Sequence, residues 1–84
     1  MTKVELCSDF LSVTAREEIL DALYQELHIS PGQVSADGDF ELELTTCGNN
    51  LDARGAPYLR LDGVVFARVD ARRARSLIAT RRHH

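Results

Sequence analysis

Two thiols, Cys7 and Cys47, are the soft donors of this 84-residue chain, forty positions apart. Cys47 stands in the stretch TTCGNNLDARGAPYLRLDG, residues 45–63, where a Gly- and Asn-rich loop ends at Ala56-Pro57 and runs into an apolar strand. A thiol pair offers three kinds of chemistry: soft-metal ligation, a reversible disulfide, or none, as two small hydrophobes kept reduced. A thioredoxin-type oxidoreductase would carry Cys-x-x-Cys at the start of the first helix, and no such pair exists here. His28, at a predicted helix end, reads as a polar residue near the negative pole of the helix rather than as a general base. No phosphate-binding glycine loop, His-Glu metal cluster or Ser-His-Asp arrangement is present, so the chain is not expected to be an enzyme on its own.

The elements that must position these thiols follow from pattern. Thr2–Leu6 alternates as a short strand ending at Cys7. Thr14 and Glu17 make a capping-box pattern, and Ile19, Leu20, Leu23 and Leu27 recur at helical spacing, which predicts a helix over about Ala15–Leu27. Glu17, Glu18, Asp21 and Glu26 form its wet face, and Pro31-Gly32 ends it. From Phe40 the period changes to two: Phe40, Leu42 and Leu44 alternate with polar residues as a strand with one buried face. Asp62-Gly63 between Tyr58–Leu61 and Val64–Val69 is a hairpin signal. Asp70 then caps a last helix with Ala71, Ala74, Leu77 and Ile78 inward and Arg72, Arg73 and Arg75 outward.

The expected fold class is therefore α/β, thioredoxin-like, β-α-β-β-β-α, with a four-stranded mixed sheet and two main helices in a single domain over residues 1–84. A strand–helix–strand crossover of this length makes the first two strands parallel neighbours. Cys7 and Cys47, each just past its strand, then emerge at one sheet edge about 4.8 Å apart from strand to strand. Disulfide bridging needs Cα atoms within roughly 7 Å, which this adjacency allows. Cytosolic thiols are normally kept reduced, so two free thiols are the leading expectation and a reversible Cys7–Cys47 disulfide the sharper alternative. For Ala56-Pro57 the trans isomer is the default.

Composition and charge narrow the partners. The net charge is -3, yet residues 1–53 hold eleven of thirteen carboxylates and residues 54–84 hold eight of nine arginines. Arginine favours interfaces, but a solvated helix face is the simpler reading of this basic half. The arginines are not interleaved with stacking aromatics, which argues against nucleic acid. No apolar run is long enough to span a membrane and no signal peptide opens the chain, so a cytoplasmic location without membrane insertion is expected. His83-His84 reads as a natural end or a purification-tag remnant.

Val4-Glu5-Leu6-Cys7, Leu23 through Ile29, Pro31-Gly32-Gln33, Asp37-Gly38-Asp39-Phe40, Leu42-Glu43, Cys47, Ala56-Pro57 and Asp62-Gly63 together resemble the thioredoxin-like 2Fe-2S ferredoxin domain. That domain occurs as the E subunit of bacterial NADH dehydrogenase (complex I) and in NAD-reducing hydrogenases and formate dehydrogenases. The resemblance spans about Val4–Ile78. It implies a cluster held by Cys-x4-Cys after the first strand and Cys-x3-Cys after the second. Cys7 and Cys47 match the first and third positions; the second falls on Ser12 and the fourth on Leu51. Counting back from Ala56-Pro57, in a loop about two residues longer than the family's, places the last pair on Asn49 and Ala53 instead. Neither register recovers a second cysteine.

A 2Fe-2S cluster needs four strong donors, and thiolate suits it far better than oxygen. Leu51 cannot ligate, and Ser12, Asp9 or Asp52 would be hard oxygen substitutes. The pattern is closest to degenerate copies of the domain in hydrogenase and formate dehydrogenase flavoprotein subunits. The resemblance then implies a non-enzymatic, cluster-free accessory, with Cys7 and Cys47 as vestigial ligands, docking on a flavin-binding NADH-oxidising subunit or domain. No cofactor is expected on this reading. The alternatives are an electron carrier with a 2Fe-2S cluster on an incomplete cysteine set, and a thiol/disulfide switch.

Overall fold

The computed structural model describes residues 1–48 and 51–82. Asn49 and His83-His84, which entered the sequence argument above, lie outside them. The elements are β1 (Thr2–Cys7), α1 (Val13–Leu27), β2 (Gln33–Val34), β3 (Phe40–Thr45), β4 (Tyr58–Leu61), β5 (Val64–Phe66) and α2 (Ala71–Arg82). They form a mixed five-stranded sheet in the order β2-β3-β1-β4-β5. β1 pairs parallel with β3, from Thr2 beside Phe40 to Cys7 beside Thr45. β4 runs antiparallel to both β1 and β5. The expected α/β, thioredoxin-like order with two helices stands.

Alternation sets the two faces of the sheet. Val4 and Leu6 of β1, Phe40 and Leu42 of β3, and Leu59 and Leu61 of β4 are buried against Ile19, Leu23 and Leu27 of α1 and Ala74 and Ile78 of α2. Both helices therefore lie on one face, because only that face carries the apolar stripe they must cover. The other face carries Lys3, Glu5, Glu41, Glu43, Arg60 and Val65. Since β1, β3 and β5 point the same way, α1 after β1 and α2 after β5 both begin at the carboxyl end of these strands.

Four local expectations are corrected. The sheet has five strands, not four, because Gln33 and Val34 pair with Leu42 and Glu41. Two residues are too few to show a period, and Ser35 fixes the turn by accepting a hydrogen bond from the Phe40 amide (3.0 Å). Helix α1 starts at Val13 with Ser12 as its cap, not at Ala15 with Thr14, since the Ser12 hydroxyl accepts from the Ala15 amide at 3.1 Å. Strand β5 stops at Phe66, not Val69: the Arg68 and Val69 amides donate to Gly55 and Pro57 carbonyls at 2.7 and 2.9 Å, leaving the ladder. The Ala56-Pro57 bond is cis.

The hairpin is as expected. Asp62 and Gly63 both take positive φ, 50° and 86°, the combination a two-residue turn needs to match strand twist. Asp62 also ties the turn to β1, its carboxylate accepting from the Lys3 amide at 2.8 Å.

Candidate functional site

Cys7 and Cys47 are joined by a disulfide, with Cα atoms 5.2 Å apart. The parallel pairing of β1 and β3 produces this: Cys7 lies beside Thr45, and Cys47 is two residues further along the second chain path. The expectation of two free thiols is corrected on this point. Cys7 is fully buried and Cys47 partly so.

Three contacts hold the Cys47 segment over the end of β1. The Ser8 amide donates to the Thr45 carbonyl at 2.8 Å. The Cys47 amide donates to the Asp9 carboxylate at 2.8 Å. Arg60 of β4 donates from one nitrogen to the Cys47 carbonyl at 3.2 Å. The same guanidinium forks onto Glu5 of β1, Nε to Oε1 at 2.9 Å and the second terminal nitrogen to Oε2 at 2.6 Å.

Glu5 and Arg60 are cross-strand partners on the face without helices, and the Cys47 loop crosses above them. The Glu5 side chain is only 8% exposed and that of Arg60 25%. The hydrogen bond from Arg60 holds the Glu5 carboxyl below its ordinary value of 4.5, and burial opposes the shift. Glu5 in turn raises Arg60. Bidentate charge-assisted pairing of this kind is among the stronger polar contacts in proteins.

The rest of the loop is organised by Tyr58 and Asp52. The Tyr58 hydroxyl donates to the Asp52 carbonyl at 2.8 Å and accepts from the Asp52 amide at 3.1 Å. The Asp52 carboxylate accepts from the Arg54 and Gly55 amides at 3.0 and 3.2 Å. Gly55 packs against the hydroxyl end of Tyr58, where any Cβ would overlap the hydroxyl.

Of the predicted positions, the disulfide brings together Cys7 and Cys47. Ser12 begins α1 and its oxygen is committed to the helix cap. Leu51 is half-buried and offers no lone pair for iron. The two oxygen substitutes, Asp9 and Asp52, are each engaged with backbone amides. Among the described residues no group of three or more His, Cys, Asp or Glu side chains is arranged around a common metal position. This donor set does not fit a 2Fe-2S cluster, which needs four ligands free to bind two irons.

Glu5, Arg60 and Tyr58 were not singled out from sequence. The alternation of β1 places Glu5 on the polar face, but nothing local says that its partner is Arg60, fifty-five residues away.

Fold and site define a thioredoxin-like α/β domain whose cysteine-bearing loops meet at the carboxyl end of its parallel strands. The chain belongs to the thioredoxin-like 2Fe-2S ferredoxin family, whose model matches residues 1–82. No curated protein matches the chain. Among the described residues no helix is long and apolar enough to cross a membrane.

Proposed function

We propose that this chain is a cluster-free member of its family, an accessory domain that docks on a flavin-binding NADH-oxidising subunit or domain. The pattern Cys7-x4-Ser12 and Cys47-x3-Leu51 supports the degenerate type known from hydrogenase and formate dehydrogenase flavoproteins. The observation that carries the reading is the donor set: two of four ligand positions lack sulfur, and the two remaining sulfurs are bonded to each other. The disulfide spans the two loops a cluster would otherwise tie together. It keeps the carboxyl end of the sheet in one shape without iron. The domain works in the cytoplasm as a positioned surface and transfers no electrons itself.

The test is co-elution. Mixed with the NADH-oxidising flavoprotein subunit of the same cell, the purified chain is expected to elute with it in gel filtration at one to one and to bring no iron. Separate elution at micromolar concentrations would remove the docking role.

The disulfide itself favours a second reading, a thiol switch. A dithiol reductant would cleave Cys7–Cys47 by two exchange steps, passing two electrons and two protons to give two thiols and becoming a disulfide itself. Counting thiols before and after mild reductant tests this. A change from none to two at a cytosolic potential is expected for a switch, and no change marks the bond as structural.

A further inference from the structure

We propose that β5, the outermost strand at one margin of the sheet, pairs with β5 of a second copy of this chain, joining two five-stranded sheets edge to edge in a two-fold dimer. The dimer needs no flavoprotein, so it stands or falls apart from the docking role.

β4 is the one strand that β5 pairs with. The two-residue Asp62-Gly63 turn closes on the Leu61–Val64 pair, so these two residues exchange hydrogen bonds and the next pair, Arg60–Val65, does not. The β1 side agrees. There the Asp62 amide donates to the Lys3 carbonyl at 3.0 Å, and alternation from that bond turns the Arg60 backbone toward β1. The amide and carbonyl of Val65 therefore point away from the sheet, an open donor and acceptor side by side.

The side chains leave this edge unguarded. Val64 is 53% exposed and Val65 41%. The strand Val64-Val65-Phe66 holds neither a charge nor a proline, the residues that commonly keep an edge from pairing. At the other margin β2 is Gln33-Val34, too short to carry a ladder.

The occupant follows from the register. In an antiparallel pairing centred on Val65, its amide and carbonyl bond those of Val65 in the second copy. Val64 of each copy then faces Phe66 of the other on the helix-bearing side of the sheet, and the two Val65 side chains meet on the side without helices. Further out, Asp62 of each copy faces Arg68 of the other. Arg68 forms no ion pair among the described residues. The Asp62 side chain is 42% exposed, with Arg81 and the Lys3 amide as its partners within the chain. Centred on Val64 instead, the pairing would set Asp62 against Phe66.

The edge thus carries its own complement in hydrogen bonds, apolar pairs and charge. A two-fold contact of this kind uses the same patch on both copies and closes at two. A foreign strand would take the same two hydrogen bonds but would have to bring the apolar and acidic residues in matching register. Three strand residues a side make a small interface, so the dimer is expected to be weak, half-formed at roughly 10 µM to 1 mM.

Sedimentation equilibrium of the purified chain, from low micromolar to millimolar concentration, tests this with two substitutions. Val65→Pro removes only the outward amide and leaves the β4 ladder its bonds. Val65→Lys sets like charges directly opposite each other across the two-fold axis. Circular dichroism checks that each variant folds, and Val65→Lys decides alone should the proline variant not fold. Each is expected to weaken the dimer at least about tenfold. Val65→Cys under mild oxidant should give a covalent dimer, because the axis sets position 65 opposite itself at a Cα spacing of about 5.5 Å. Val34→Cys, half-exposed at the other margin, should not.

A chain that stays monomeric to millimolar concentration overturns the proposal. So does a dimer indifferent to the folded substitutions, or crosslinking at position 34 equal to that at position 65. A photo-crosslinking residue at position 65 in the native cell is expected to capture a second copy, and capture of a different protein alone would overturn self-pairing.

Discussion

Glu5 and Arg60 face each other from neighbouring strands, and their pairing gives the protein a pH signature. The Glu5 carboxyl is held below its ordinary value of 4.5 in the folded state, so the unfolded chain binds its proton first as pH falls. Its contribution to stability is complete above that value and is lost as pH drops through the lower, folded one. Glu5→Gln should therefore flatten the fall in melting temperature as pH drops below about 4.5, and lower stability near neutrality by about 1–3 kcal/mol. Asp37, lowered by its bond from Ser35, titrates on the same limb and remains in the variant as an internal reference. Ser12 gives a second residue-scale prediction: Ser12→Ala removes the α1 cap and should cost about 1 kcal/mol in urea unfolding, whereas Thr14→Ala should change little. The Thr14-x-x-Glu17 spacing favoured the wrong hydroxyl. The chain leaves Cys7 by a tight turn, with the Leu11 amide bonded to the Ser8 carbonyl at 3.3 Å, so the helix begins two residues earlier. At Phe10 the prediction runs the other way. Phe10→Asn should raise stability in urea unfolding by about 0.5–1 kcal/mol, because Phe10 sits at φ 55° and Asn tolerates left-handed backbone.

The disulfide belongs to the scale of elements, because it ties the end of β1 to the loop after β3. It closes a segment with a sequence separation of 40, for which chain entropy gives roughly 4 kcal/mol. Cys47→Ser, unfolded in urea beside the oxidised parent, should lose up to about that amount. A loss below 1 kcal/mol would mean that the contacts from Asp9 and Arg60 already hold the loop. This juxtaposition was legible: the strand–helix–strand order makes β1 and β3 parallel neighbours, and the cysteines follow both strands. The choice between thiols and bridge was not, since geometry permitted either and only the cytosolic prior favoured reduction. Strand β2 escaped for another reason. Gln33-Val34 is held by its neighbours, the Gly32 amide on the Leu42 carbonyl and the Ser35 amide on the Phe40 carbonyl, both at 2.7 Å. Such contacts leave no mark in hydrophobic period.

For the molecule as a whole, the acidic-first, basic-last order along the chain is joined across by ion pairs, Arg60 with Glu5 and both Arg75 and Arg82 with Glu26. The topology starts both helices at the end where the cysteine loops meet. From sequence, Arg72 and Arg73 read as part of a solvated helix face. The ion pairs that neutralise Arg60, Arg75, Arg81 and Arg82 all span from 19 to 56 residues, so which arginines stay unpaired is a tertiary fact. The central claim is narrower: the cysteine site of this ferredoxin-family domain no longer holds iron. It is tested most directly by iron and acid-labile sulfide analysis, with a visible spectrum, of protein isolated from its native cell without oxygen. A colourless sample with neither element above background is the predicted result. A brown sample with two irons and two sulfides per chain would contradict it.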